Sequence, residues 1–228
     1  MSRARMLVEG DEDVRVLPEL LEKAGIAWGP KGDERVRLKP AGSYDQLTEE
    51  WIEAQLKDSG LERLAILVDA DDHPGARWTS LRGRVSKWFP DFPTHPTPEG
   101  VVIDLPPGLL PFSPRLQRFG AWMMPDNQVR GMLETFLLAL RPNDEPNMLS
   151  HVEQAADQAR QIGLAANSPR IFKEVHRDKA LIHTWLAWHG RKEPGRQLHQ
   201  AIKEEILDPR HPYAEPFLSW FRRVYEAP

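Results

Sequence analysis

The stretch LAILVDADDHPGARW, residues 64–78, decides the fold of this chain. It opens with a continuous apolar run, residues 64–68, which is typical of a strand in a parallel sheet covered on both faces. The run ends at three acids, Asp69, Asp71 and Asp72. Carboxylates this close repel one another unless a divalent metal, a Lys or Arg side chain, or water offsets their charge. The stretch therefore predicts a buried strand that carries negative charge to one edge of a sheet.

Strand and helix patterns alternate on both sides of this stretch, which favours a three-layer α/β sandwich with a mostly parallel central sheet. We expect this α/β domain over residues 1–142, with a proline-rich insertion at about 90–118 around an edge strand. Residues 143–228 show only helical patterns and predict a helical C-terminal extension packed on the domain. Further strands are expected at 3–10, 34–42, 100–106 and 119–127, and helices at 13–25, 43–60, 79–90 and 128–140.

Composition narrows the class of protein. The 228 residues carry a net charge of −4 and include no cysteine, which excludes disulfides and thiolate metal sites. No apolar run approaches the roughly 20 residues of a membrane helix, and the N-terminus has no signal-peptide core, so we expect a cytoplasmic protein without a membrane partner. Residues 160–228 hold 12 Lys and Arg against 8 Asp and Glu. This basic part can meet phosphates or dock on an acidic surface.

Polar clusters follow three of the predicted strands. Residues 9–13 read EGDED after the first strand, Asp69 begins DADD after the third, and Asp126 and Asn127 follow the last. Ligands of parallel α/β sheets bind at the carboxyl ends of the strands. The sequence therefore predicts one site at this edge.

Two of these clusters resemble known motifs. VEGDED (8–13) and LVDADD (67–72) resemble the Toprim domain of topoisomerases, bacterial primases and the nucleases of the overcoming-lysogenisation-defect (OLD) class, in which a Glu-Gly and a DxD end two strands. Asp13 matches a further acid of the OLD branch. The segments FGAWMMPDNQVRGMLETFL (119–137) and KALIHTWLAWHGRKEPGRQLHQAI (179–202) are similar to the DUF3226 group of bacterial Toprim-like proteins.

The resemblance implies a role for each matching residue. Carboxylates hold Mg²⁺ or Mn²⁺, which neutralise charge on phosphate oxygens and lower the pKa of attacking water. Glu9 would be a metal ligand or a general acid/base, and a downstream lysine, for which Lys179 is the candidate, would stabilise developing phosphate charge. The implied metal ligands are Glu9, Asp13, Asp69 and Asp71, with Glu134 for a second metal ion.

Each residue also has a structural alternative. The acids at 11–13 can complement a helix dipole, and Asp72 can be a solvated turn residue. Glu134 can pair with Arg130 one turn earlier, and Lys173 or Arg177 can replace Lys179 as the basic group. Asp126 and Asn127 are expected to cap the helix that follows, and Gly10 is expected to allow a tight turn.

The function that follows is a divalent-metal-dependent phosphodiesterase, a nuclease of the OLD/Toprim type that acts on nucleic acid. OLD proteins join Toprim to an ATPase. This chain has no G-x-x-x-x-G-K-[ST] stretch, so the resemblance implies a separate ATPase partner and a phage-defence setting, and it leaves a homodimer open. The alternative is a non-catalytic Toprim-like module that binds a metal ion or phosphate and regulates a partner. Primase or topoisomerase activity is set aside, because no zinc module or nucleophilic tyrosine context is present.

Overall fold

A five-stranded sheet lies at the centre of the computed structural model, which describes residues 3–30, 32–142, 144, 146–189 and 194–226. The strand order is β2–β1–β3–β5–β4. All neighbouring pairs are parallel except β4 and β5, which are antiparallel. The predicted mixed α/β fold with a mostly parallel sheet is therefore confirmed, as is an edge strand within the proline-rich segment. The strands are β1 (Ala4–Val8), β2 (Arg37–Pro40), β3 (Arg63–Asp69), β4 (Val101–Asp104) and β5 (Arg118–Met124).

Eight α-helices and two 3₁₀ turns surround the sheet in the described ranges. None of these helices combines the length and the hydropathy that a membrane crossing needs. The fourth helix is shorter than the predicted 128–140, for reasons that lie in the site described below. The helices are α1 (Asp11–Lys23), α2 (Glu49–Leu56), α3 (Pro74–Val85), α4 (Leu133–Ala139), α5 (Pro146–Ala165), α6 (Arg177–Trp188), α7 (Leu198–Lys203) and α8 (Glu215–Tyr225), and the 3₁₀ turns are Glu174–His176 and Pro212–Ala214.

The strand β3 has a buried core on each of its faces. Ala65 and Leu67 belong to one core, and Leu64, Ile66 and Val68 belong to the other. This division follows from the two-residue period of a strand. Helices α2 and α3 and parts of the 88–116 segment cover the second core. Because both faces are covered, the apolar run of β3 has no polar alternation.

The C-terminal helices share the first core with the sheet. Side chains of α5, α6, α7 and α8 pack in the same buried cluster as α1, α4 and the strands β1, β3 and β5. The predicted boundary near residue 142 stays a prediction, and residue 143 lies outside the described residues.

Helix α8 packs closely on the sheet at Gly120 of β5. A Cβ atom at this position would lie 2.6 Å from Val224 Cγ2 and 3.3 Å from Trp220 Cζ2. The indole N–H of Trp220 also donates a 2.9 Å hydrogen bond to the carbonyl of Val101. The close packing of α8 on β5 therefore requires a glycine at position 120, because any Cβ atom there would contact Val224 and Trp220 too closely.

We expect Gly120→Ala to lower the free energy of unfolding by about 1–3 kcal/mol, because overpacking forces α8 away from β5. Gly83→Ala is the matched control, since a Cβ there meets no atom within 4 Å. That change should raise the free energy of unfolding by roughly 1 kcal/mol through helix propensity. Urea titrations of both variants measure the difference, and equal effects would contradict this account of α8.

Candidate functional site

Four carboxylates meet at the carboxyl edge of the sheet. Glu9 directly follows β1, Asp69 is the last residue of β3, and Asp13 and Glu134 lie in the first turns of α1 and α4. Asp69 interacts electrostatically with the other three. Asp13 and Glu134 are buried, while Glu9 and Asp69 are partly buried. We call these four residues the acidic cluster.

Backbone N–H groups hold three members of the cluster. The N–H of Asp69 donates to Glu9 Oε1 at 2.8 Å, which ties the ends of β1 and β3 together. The N–H of Leu133, at the start of α4, donates to Asp69 Oδ1 at 2.9 Å. The N–H of Gly10 donates to Asp13 Oδ2 at 2.9 Å as part of the cap of α1. Asp13 therefore combines a helix-capping role with membership of the cluster.

The fourth carboxylate, Glu134, forms an ion pair with Lys179 of α6. Lys179 Nζ lies 2.8 Å from Glu134 Oε1, and about half of the lysine side chain is exposed. The alternative pairing of Glu134 with Arg130 is wrong. Burial lowers the pKa of Lys179, but the hydrogen bond and charge of Glu134 and the charge of Asp69 outweigh it and raise the pKa overall. The structure thus places the predicted lysine beside the predicted second-metal glutamate.

Burial raises the pKa of three of the cluster carboxylates, Glu9, Asp13 and Asp69. It raises the pKa of Asp13 to about 7, despite the hydrogen bond from the Gly10 N–H. Burial and the neighbouring carboxylates raise the pKa of Asp69 well above its usual value. Burial also raises the pKa of Glu9, and the Asp69 N–H and the Arg77 charge partly offset this. The cluster therefore favours either a bound proton or a nearby cation.

The donor set fits a hard divalent cation, which takes oxygen ligands. Among the described residues, the second oxygen of each cluster carboxylate accepts no hydrogen bond. No three His, Asp or Glu side chains in the described ranges are arranged to hold a metal ion directly. The cluster thus offers the right atoms, and a cation would have to draw them together.

Asp71 takes a different position from the acidic cluster. Its φ is +50°, a left-handed conformation, and its backbone forms two 2.9 Å hydrogen bonds with Gly131, one in each direction. The side chain is 40% exposed and forms an ion pair with Arg77 of α3. Arg77 Nη1 lies 4.0 Å from Glu9 Oε1. The DxD pair is thus divided, and Arg77 connects Asp71 to the cluster.

Arg77 is held in place by aromatic and basic neighbours. Its guanidinium lies over the ring of Tyr44, 3.6 Å from the ring centre, and Arg84 lies 4.0 Å from the same centre. Arg84 also donates to the carbonyl oxygens of Tyr44 and Leu47 at 2.6 and 2.8 Å. The sequence prediction missed Arg77. The helix after the DxD strand was predicted to begin at residue 79, whereas α3 begins at Pro74, so Arg77 lay outside the predicted helix.

Two recesses flank Asp71 and Asp72. The larger, which we call the outer groove, has a volume of about 510 Å³. The smaller, which we call the inner pocket, has a volume of about 100 Å³. Asp71 and Asp72 line both recesses, as does Val175. The other residues of the outer groove are Tyr44, Asp45, Ala70, His73, Ala76, Arg77, Ser80, Val175 and His176, and those of the inner pocket are Arg130, Gly131, Glu174, Val175, Arg177 and Asp178.

Two predictions about the turns at this edge are wrong. Asp126 does not cap α4, because its Oδ1 accepts from the N–H groups of Gln128 and Val129 in the turn after β5. Asn127 Oδ1 instead accepts from the Met123 N–H at 2.7 Å. Helix α4 begins only at Leu133, after the bridge between Asp71 and Gly131, and the Thr135 hydroxyl accepts from the Met132 N–H.

The chain bends at Glu9 and Gly10 as expected, but the bend does not depend on glycine. Gly10 has φ −139° and ψ 178°, which any residue can adopt. A Cβ atom there would meet its nearest neighbour, Asp13 Oδ2, only at 4.0 Å. The conformational freedom of glycine is therefore not needed at this position.

Comparison with known proteins supports one part of the sequence interpretation. A family model described as "Protein of unknown function (DUF3226)" matches residues 3–226. No curated protein and no solved structure matches the chain. The predicted similarity to DUF3226 is therefore confirmed, and the relation to Toprim and OLD proteins stays a prediction.

The raised pKa of Asp13 predicts how stability depends on pH. A carboxyl group with a higher pKa in the folded state binds more protons when folded, so it lowers the free energy of unfolding as pH rises from about 4 to about 7. Without divalent cations, we expect wild-type protein to lose stability over this range. Asp13→Asn should reduce the loss, because the amide oxygen can still accept from Gly10 without ionising. Asp91→Asn, at an exposed position, is the control, and urea titrations at each pH give the slopes.

Proposed function

Because the chain belongs to the DUF3226 family, whose description names no activity, we propose its function from the acidic cluster: a divalent-metal-dependent phosphodiesterase, a nuclease of the Toprim type. The observation that carries this proposal is the meeting of Glu9, Asp13, Asp69 and Glu134 beside Lys179 at the carboxyl edge of a parallel sheet. The raised pKa values of Glu9, Asp13 and Asp69 show that their negative charges are unfavourable in isolation, and a hard divalent cation would relieve their repulsion.

The strand order supports the Toprim-like interpretation of the fold. β1 and β3 are adjacent and parallel, so the Glu-Gly after β1 and the DxD after β3 lie side by side. In this proposal the sheet and its first helices form the Toprim-like domain, and the C-terminal helices are an extension that supplies Lys179.

The metal ligands in this proposal are Glu9, Asp13 and Asp69, with Glu134 for a second ion. Bound Mg²⁺ or Mn²⁺ would supply charge neutralisation and a more acidic water. Asp71 would join the ligand set if its carboxylate left the ion pair with Arg77 and bound the cation instead. Glu9, held by the Asp69 N–H, would keep its second oxygen for the metal ion or for a proton.

Lys179 would act on the phosphate. Its ammonium group pairs with Glu134 while about half of its side chain is exposed, which suits a cation that faces both the cluster and the solvent. A positive charge in this position stabilises the negative charge that develops on a phosphate oxygen during transfer.

A second candidate function is a module that binds a metal ion or phosphate without cleaving it. The observation that favours it is that Arg77 and Lys179 already balance the cluster, while no three ligands in the described ranges are arranged around a metal position. In either case we propose nucleic acid as the partner and the cytoplasm as the location. A separate ATPase and a phage-defence setting follow only from the OLD resemblance.

The first prediction for this function concerns metal-dependent cleavage. We expect purified protein to cut plasmid, linear DNA or RNA with Mg²⁺ or Mn²⁺, and not with EDTA. Asp69→Asn should reduce the rate at least about 100-fold, because it removes a central ligand. Asp91→Asn is the control, since it removes an exposed aspartate outside the cluster. Cutting that survives EDTA or Asp69→Asn would contradict the proposal, and no cutting by folded wild type would favour the binding module.

A second prediction concerns Lys179. Lys179→Met keeps the length of the side chain but removes the charge, so we expect kcat to fall by roughly 10–100-fold. Lys179→Arg should recover part of the loss. Lys173→Met, at the exposed neighbouring base, should leave kcat within about twofold. If Lys173→Met has the larger effect, the basic group has been assigned to the wrong residue.

A further inference from the structure

We propose that the edge of the sheet at β2 binds the phosphate backbone of nucleic acid through three basic side chains, Arg5, Arg37 and Lys39, which we call the basic stripe. This inference rests on the proposed function and names the surface that holds the substrate beside the cleaved bond. The stripe lies outside the acidic cluster, and none of its three side chains lines either recess.

The register of the sheet places the three side chains on one face. Arg37 of β2 lies opposite Arg5 of β1, and Lys39 lies opposite Leu7. Residues opposite one another in parallel strands point to the same face. Leu7 belongs to the second core, so the stripe lies on that face of the sheet, beside α2. Two residues of a strand span roughly 6.6 Å, and Arg37 and Lys39 therefore leave the edge as two charges in a line.

The positive charge of the stripe exceeds the negative charge around it. Arg5 donates to Asp58 Oδ2 at 2.7 Å and to the Gln55 carbonyl at 2.9 Å. Within the described ranges, the side chains of Arg37 and Lys39 form no ion pair or hydrogen bond, and Arg37 is exposed. Burial and the charges of Arg37 and Arg5 lower the pKa of Lys39, so the three cations repel one another. An anion bound along the stripe would relieve this repulsion.

The backbone edge of β2 is unsuited to a strand of a partner protein. β2 is the outermost strand of the sheet, spans only four residues and ends at Pro40, which has no N–H group. Short length, proline and exposed charge keep edge strands from pairing with other chains. This edge therefore offers positive charge rather than backbone hydrogen bonds. The phosphates of nucleic acid carry negative charges in a regular line, which is the complementary ligand.

The basic stripe leads to the acidic cluster. Beyond β2 the chain continues beside β1, and the Gly42 N–H donates to the Glu9 carbonyl at 2.8 Å. Val8 lies opposite Pro40. Lys39 therefore lies two residues before the level of Glu9, a distance of roughly 6.6 Å along the strand. The cluster repels phosphates, whereas the stripe attracts them without a metal ion. A backbone held on the stripe brings its next phosphates to the cluster.

The first test measures binding without a metal ion. Fluorescence anisotropy with labelled dT12 and a labelled 12-base-pair duplex, both in EDTA over a range of salt concentrations, gives the dissociation constants. Arg37→Gln/Lys39→Gln removes two cations, so we expect it to weaken the binding of each probe by roughly 5–20-fold at low salt. The slope of log K against log salt should also fall, by about 1.4 for dT12 and about 1.8 for the duplex, because two phosphate contacts are lost.

Arg115→Gln/Arg210→Gln is the matched control, because it removes the same net charge at exposed positions outside β1 and β2. It should change the dissociation constants less than about twofold. Wild type that binds neither probe, or equal effects of the two double variants, would overturn the proposal.

A charge-reversal variant separates phosphate binding from protection of the edge. Arg37→Glu/Lys39→Glu keeps the edge charged, so gel filtration should show the oligomeric state of wild type, while binding of both probes should weaken at least about 50-fold. If this variant binds like wild type, charge of either sign suffices and the proposal is wrong. A labelled oligoglutamate peptide that binds wild type as tightly as dT12 would also overturn it, because the surface would then suit an acidic protein.

Kinetics separate this inference from the proposed function. The stripe touches no reacting atom, so in a nuclease Arg37→Gln/Lys39→Gln should raise KM by roughly 5–20-fold and leave kcat within about twofold. If cleavage depends on Asp69 but the stripe variants behave like their control, the phosphodiesterase stands and the stripe is wrong. If the stripe variants weaken binding but no metal ion supports cleavage, the stripe stands and the protein is a binding module.

Discussion

The hydrogen bond from the Asp69 N–H to Glu9 Oε1 is the interaction on which the candidate site depends. It joins the ends of two neighbouring parallel strands, so two distant parts of the sequence present carboxylates at one point. The start of α4 is tied to the same place through Asp69 Oδ1. Each bond leaves one carboxylate oxygen uncommitted while fixing the direction of the other. The backbone therefore sets the orientation of the cluster before any ligand arrives.

Two cations balance this charge in different ways. Lys179 meets Glu134 directly and remains half-exposed. Arg77 is mostly buried, stacks on Tyr44 and divides its guanidinium between Asp71 and the vicinity of Glu9. The half-exposed side chain of Lys179 has room to change its position, whereas Arg77 is held by Tyr44 and Asp71. The same residues thus hold the carboxylates of the cluster in place without a metal ion.

The sequence predicted the framework well because the framework rests on local patterns. The apolar run before Asp69 specified a buried strand, and parallel strands place their ends at one edge, so the meeting of Glu9 with Asp69 followed. The orientation of Asp71 did not follow, because it depends on a left-handed backbone and on a long-range pairing with Gly131. The same pairing delays the start of α4, which is why Asp126 serves a turn rather than the helix. Arg77 was missed because a lone arginine has no distinctive pattern and the helix that carries it was predicted to begin only at residue 79.

The contribution of α6 and the preceding 3₁₀ turn has a practical consequence for dissecting this chain. Lys179, His176 and Arg177 all come from beyond residue 142, and the helices that carry them share a core with the sheet. A fragment limited to the first 142 residues would keep all four carboxylates but lose the ammonium group that balances one of them and a wall of each recess. The sheet face that α5 to α8 help to cover would also keep only α1 and α4. The smallest unit that can preserve the chemistry of this edge is therefore set by electrostatics and packing together, and it includes both the sheet and the C-terminal helices.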